Sequence, residues 1–168
     1  MRAVRRAGQA NPRRWRGSDL SSAAKEAVAR VAIREDLDVF EARWAARRVA
    51  TGIGFPTRDT EEVVLAVSEL ATNILKFAPP GVIAIQRIDD PDHGAGLRVT
   101  AADSGPPLVD FERVLEGSKR VGVAMEWTGR GLGGGLGAVY RFTDALRCVP
   151  AAGGKQMIAE RYLRRPRR

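Results

Sequence analysis

Residues 56–81, "PTRDTEEVVLAVSELATNILKFAPPG", hold the reading on which the fold turns. Acidic residues fill the first turn, where the helix dipole favours them, Asp59 or Thr57 can cap the start, and Pro79-Pro80-Gly81 ends the helix. At about 100° per residue, Val63, Val67, Leu70 and Ile74 fall on one face for burial, and Glu69, Asn73 and Lys76 form an adjacent polar stripe. Such a stripe is either a solvated face with an ordinary Glu69–Lys76 ion pair or the wall of a site. In the second case Asn73 offers a hard oxygen of the kind Mg2+ takes while keeping waters and phosphate oxygens, and Glu69 offers a carboxylate able to accept a proton.

A second stretch, "TGRGLGGGLGAVYRF" at 128–142, places Gly129, Gly131, Gly133, Gly134 and Gly135 within seven positions, adds Gly137 and runs into an apolar, helix-like pattern. Glycine loses more entropy on ordering than any other residue, so this cluster belongs where the backbone takes positive φ or approaches a ligand closely. Backbone N–H groups at the start of a helix near Leu136 make a generic anion site, and the usual anion is a phosphate. The G-x-G-x-x-G spacing through Gly129, Gly131 and Gly134 lacks a following strand with a ribose-binding acid. No G-x-x-x-x-G-K-[ST] occurs, so a P-loop is excluded.

Working outward, "AVARVAIRE" reads as a strand, and "DLDVFEARWAARRVATGIGF" as a helix with a capping-box-like Asp38 and Glu41, closed by Gly52 and Gly54. Trp44 is expected to pack on that helix. "GVIAIQRID" and "GLRVTAAD" form a hairpin through the turn that contains His93, and the second of these strands runs directly into "DSGPP". There Asp103 is either a turn former or a carboxylate accepting from an exocyclic amine, with Gly105 leaving room for a flat ring. A helix "LGAVYRFTDAL" and a last hairpin, "LRCVPAAGGKQMIAERYL" with Cys148 in its core side, complete the chain. The order β, α, α, β, β, loop, α, β, β predicts an α+β fold, a two-layer sandwich of a mixed, mostly antiparallel sheet with helices on one face.

The 168 residues fit one domain, and a single cysteine and a single histidine exclude disulfide frameworks and Cys/His zinc sites. The net charge of +8 is concentrated at the ends: six arginines lie in residues 1–16 and five in 161–168, whereas residues 17–160 balance 17 Lys+Arg against 20 Asp+Glu. Basic tails at 1–17 and 164–168 around a domain at 18–163 follow, and a slightly acidic domain is a poor partner for nucleic acid. No apolar run reaches the roughly 20 residues of a membrane helix, so a cytoplasmic protein without a membrane partner is expected.

Three stretches taken in order, "SELATNILKFA", "DSGPP" and "GRGLGGGLGAV", resemble the N box and two glycine boxes of the GHKL ATPase superfamily. Within it, the compact length and the phrase "AVSELATNILKFA" are most similar to the anti-sigma-factor serine kinases, particularly the switch kinases of stress-response modules. The likeness spans residues 28–163. It implies ATP lying between sheet and helices, with Asn73 holding Mg2+, Asp103 binding the adenine amino group beside Gly105, and Gly131, Gly133 and Gly135, with the helix start at Leu136, wrapping the phosphates. Glu69 is then the general base. The implied acceptor is a hydroxyl on a STAS-domain antagonist protein, in a pathway that regulates a sigma factor directly or through a PP2C-type phosphatase. Two positions depart from the family pattern. Pro107 stands where a second glycine is usual, and "AGGKQM" stands where a Gly-Thr pair normally supplies a hydroxyl to the adenine contact. These departures keep a second reading open, a regulatory module that binds its partner with little or no catalysis.

Overall fold

A computed structural model describes residues 28–106, 108, 111–113, 115 and 135–163. The element order is β1 (Ala29–Ile33), α1 (Asp36–Ile53), α2 (Thr57–Phe77), β2 (Gly81–Asp90), β3 (Gly94–Asp103), α3 (Gly135–Phe142), β4 (Ala145–Ala151) and β5 (Gly154–Tyr162). The strands form one sheet in the order β1-β2-β3-β5-β4. All four pairings are antiparallel, so the sheet expected to be mixed shows a single sense among the described residues. The basic tails, Pro107, Trp15, Trp127 and the glycines from 129 to 134 lie outside the described residues.

Residues opposite one another in antiparallel strands share a face, and parity along each strand therefore defines the layers. Val31 and Ile33 of β1, Ile83 and Ile85 of β2, Leu97, Val99 and Ala101 of β3, and Met157 and Ala159 of β5 form the buried side. Against them α2 sets Val63, Val67, Leu70 and Ile74, the four residues expected from its periodicity, each at 1% exposure or less. The buried face of α1 is Ala42, Ala45, Ala46, Val49 and Ala50, whose small side chains bring its axis close to its neighbours.

Several local expectations are corrected. The first helix starts at Asp36, one turn earlier than a cap at Asp38 requires. Asp38 sits inside the first turn, where its carboxylate accepts the N–H groups of Arg34 at 2.7 Å and Glu35 at 3.0 Å. Gly52 lies within the helix, and only Gly54 ends it, at φ 100°, a conformation that disfavours any side chain. In α2 neither Thr57 nor Asp59 caps; Pro56 precedes the first turn, and Asp59 turns instead to the guanidinium of Arg161. Trp44 is 73% exposed and aligns with Leu37 and Phe40 on an outward face of α1, because the alanine face opposite takes all the burial this helix has.

A charged residue at buried parity ties the layers together. Arg161 of β5 projects from the helix-covered side and meets Asp59 at 3.0 Å, Glu62 at 2.9 Å and Asp144 at 3.5 Å. On the opposite face, Glu160 accepts from Arg98 at 2.7 Å, Arg147 at 2.9 Å and the Tyr162 hydroxyl at 2.9 Å. Burial alone raises the Glu160 pKa, but the guanidiniums of Arg147 and Arg98 outweigh it and hold the group below the ordinary glutamate value. Burial and then the charge of Glu160 push the Tyr162 hydroxyl upward.

Replacing Arg161 by Met leaves three carboxylates without their shared cation, and urea unfolding is expected to register a loss of about 3 kcal/mol; an unchanged midpoint contradicts that account. For Glu160→Gln the loss is expected at about 1–3 kcal/mol near pH 7. Because the folded pKa of Glu160 is depressed, its contribution is complete above the ordinary value of 4.5 and disappears as pH falls through the lower folded value. Wild type and variant should therefore converge in stability under acid, and a pH-independent gap contradicts the charge assignment.

Candidate functional site

Burial of one face of α2 leaves Glu69 and Asn73 half-buried on the flank of that helix and Lys76 exposed. Among the described residues Glu69 makes no ion pair, so the Glu69–Lys76 alternative does not form. What approaches the stripe instead is the N-terminus of α3. A Cβ built on Gly135 would lie 2.9 Å from Glu69 Oε2 and 3.7 Å from Asn73 Oδ1. Gly135 therefore brings the start of α3 against the two candidate residues of α2. Leu136 follows in the first turn, half-buried against the core, and Val139 anchors α3 at 0% exposure.

The second part of the site is at the end of the sheet. Asp103 closes β3 and pairs in register with Gly81 on one side and Lys155 on the other. By parity with Ala101 and Met157, Asp103 and Lys155 both face the helices. Gly105 donates its N–H to Asp103 Oδ1 at 2.8 Å, an Asx-type turn that fulfils the turn-former reading. The same oxygen accepts the Lys155 ammonium at 2.6 Å, with side-chain exposures of 11% and 6% for Lys155 and Asp103. A Cβ on Gly105 would meet Lys155 Nζ at 2.7 Å, Ala78 Cβ at 2.8 Å and Asp103 Oδ1 at 2.9 Å, so no side chain fits there without displacing the ion pair or the backbone after α2. Ala78 directly follows α2, and the final turns of that helix thus run from the Asp103 corner to the Gly135 corner.

Of the residues named from sequence, the structure brings Glu69, Asn73 and Gly135 together at one corner and Asp103 and Gly105 at the other. Gly131 and Gly133 lie outside the described residues. Lys155 and Gly154 were not named as site residues. A Cβ on Gly154 would overlap the carbonyl oxygen of Asp103, so the bare backbone there lets β5 close onto the end of β3. A signal was available in the alternation of "KQMIAER", which sets Lys155 and Arg161 in phase with the buried Met157 and Ala159.

Oxygen ligands at this place are single. Among the described residues no three His, Cys, Asp or Glu side chains converge, and Asn73 offers one neutral oxygen of the kind Mg2+ takes alongside phosphates and water. A recess lined by Asp89, Asp90, Asp92, His93, Asp144 and Tyr162 lies at the other end of the β2–β3 hairpin, and its acidic lining suits no phosphate. There His93 takes the place expected of it in the turn, bonded to Asp90 at 2.8 Å and stacked on Tyr162. Cys148 is a half-buried thiol on β4, packed against the core. Among the described residues no helix is long and apolar enough to cross a membrane.

Comparison with known proteins accords with this geometry. The family model described as a histidine kinase-like ATPase domain matches residues 32–159. The chain is 36% identical over 135 residues to the serine/threonine-protein kinase RsbT of Bacillus subtilis (strain 168), a match covering 80% of this chain and 96% of that protein. Its fold is similar to that of a chain in the crystal structure of the SiaB–SiaC complex from Pseudomonas aeruginosa, with a TM-score of 0.54 at 14% identity over 88% of this chain and 98% of the other. The α+β sandwich, the three ordered motifs and the relationship to RsbT together place the chain in the histidine kinase-like ATPase family, among its serine/threonine-protein kinases.

Proposed function

We propose that this kinase binds Mg-ATP between the Asp103 end of the sheet, the last turns of α2 and the N-terminus of α3. It then transfers the γ-phosphoryl group to a serine or threonine hydroxyl of a STAS-type antagonist protein. The setting is a partner-switching pathway that controls a sigma factor or stress response, with a PP2C-type phosphatase as a further candidate partner. The observation that supports this reading is the approach of Gly135 to Glu69 and Asn73, which sets the start of α3 beside a carboxylate and an amide oxygen.

At the Gly135 corner the residues present fit the phosphates and their metal ion. Gly135 leaves a space that a Cβ would fill beside Glu69 Oε2, and Asn73 contributes one neutral oxygen, a donor set suited to Mg2+ that keeps its phosphate and water ligands. Bound Mg2+ would supply charge neutralisation between phosphate oxygens. Asp103 would orient the base by accepting from the exocyclic amine. The N–H groups at Gly135 and Leu136, continued through Gly131 and Gly133, would cradle the phosphates and hold them in line. Glu69 would take the proton of the acceptor hydroxyl as its oxygen bonds to phosphorus and ADP departs. Most of the rate then comes from positioning and electrostatics. Phosphorylation of the acceptor adds a charge of about −1.5 to −2, enough to break a complex packed around that hydroxyl.

The second reading, a module with little catalysis, draws support from Lys155, which already occupies one oxygen of Asp103. Calorimetric titration with ATP, with and without Mg2+, separates the two. Mg2+-dependent binding weakened about tenfold or more in Asn73→Ala is expected, a loss of at least about 1.4 kcal/mol; no binding at millimolar ATP overturns the kinase reading in favour of the module. In a phosphotransfer assay with its partner protein, Glu69→Gln should keep ATP affinity and lose about 10²- to 10⁴-fold in rate. Undiminished transfer by that variant removes Glu69 from the role of base.

A further inference from the structure

Lys155 is a buried lysine in the one place where the base-binding reading puts a polar edge. It is the direct cross-strand neighbour of Asp103, and its Nζ lies 2.6 Å from Oδ1, the oxygen that also accepts from Gly105 N. One carboxylate oxygen therefore takes both protein donors, and among the described residues no donor reaches Oδ2. An ammonium has three N–H donors and no acceptor. With one donor on Oδ1, two remain beside a carboxylate whose Oδ2 takes no donor among the described residues. The bare α-carbon of Gly105 lies against the same ammonium, where a Cβ would meet Nζ at 2.7 Å.

The two common kinds of purine differ at this edge. Adenine carries an amino donor at position 6 and a ring-nitrogen acceptor at position 1. Guanine and hypoxanthine carry a carbonyl acceptor at position 6 and an N–H donor at position 1. A carboxylate facing position 6 and an ammonium facing position 1 therefore match adenine at both places and oppose a 6-oxopurine at both. A hydroxyl or a water in the place of Lys155 rotates to donate or accept and tolerates either kind. A lysine does not, and it leaves the N–H of the wrong base desolvated without a partner.

We propose that Lys155 is a specificity-determining residue, a fixed donor to the purine N1 position that makes the Asp103 pocket reject 6-oxopurine nucleotides. The inference rests on the reading of Asp103 as the base-binding carboxylate and adds a residue to it. It also gives the departure from the Gly-Thr pattern a positive role, since the hydroxyl is replaced by a group with one hydrogen-bonding sense.

The test is calorimetric binding of Mg-ATP and Mg-ITP to the full chain, which reads the base alone because the two nucleotides share ribose and phosphates. Wild type should prefer ATP by about 100-fold or more. Lys155→Met, close in length and without donors, should lose about tenfold in ATP affinity and little in ITP affinity, so that the ratio shrinks. Lys155→Arg keeps charge and donors and should preserve the preference, which guards against the Met variant failing to fold. Equal affinity of wild type for ATP and ITP overturns the proposal, as does an unchanged ratio in a folded Lys155→Met protein. A rise in ATP affinity in that variant also overturns it, because Lys155 would then be a plug that the base must displace. Absence of binding by wild type to either nucleotide overturns the base-site reading itself, an outcome distinct from ATP binding without discrimination.

Discussion

Burial of one face of α2 is the constraint from which the remaining geometry follows. Val63, Val67, Leu70 and Ile74 are almost fully withdrawn from water, and at roughly 25 cal/mol per Å2 their apolar surface favours this orientation of the helix. Once those residues face the sheet, helical periodicity fixes where Glu69 and Asn73 lie. The site has no freedom of its own in this respect. Its carboxylate and amide sit on the flank of a core helix because their positions in the chain are offset from the core positions by a fraction of a turn.

The sheet contributes a second rule of the same kind. Strand parity decides that Asp103 and Lys155 face the helices and that Arg98 and Glu160 face away, so a shift of one residue in the β3–β5 register would put Lys155 and Glu160 on the opposite face from their partners and break both pairs. Gly81 and Gly154, the partners flanking the end of β3, hold this corner tight. A side chain on Gly81 would strike the Ala102 carbonyl and Ile74, and one on Gly154 would strike the carbonyl of Asp103. The Asp103 corner is thus defined by backbone contacts before any side chain is considered.

Much of this was legible in the sequence. The periodicity of residues 63–74 and the two hairpins predict the layers, because helix and strand periods are local properties of the chain. The placement of Glu69, Asn73, Asp103 and Gly105 was legible for the same reason, each at a fixed offset within or beside its own element. What escaped is what depends on two distant segments. The partner of Asp103 is 52 residues away, and Asp59 serves Arg161 at a separation of 102 residues instead of capping its own helix. The exposure of Trp44 escaped too, since large apolar side chains are commonly buried and only the alanine face of α1, set against its neighbours, shows that the tryptophan side has nothing to meet.

The charged ends of β5 have a mechanical meaning. Arg161 clamps the first turns of α2 through Asp59 and Glu62, while at the other end Ile74 presses on Gly81 and Ala78 on the corner beside Gly105. A helix gripped at both ends neither slides nor tilts as a lever. In this protein α2 is the fixed frame on which the flanking segments are seated.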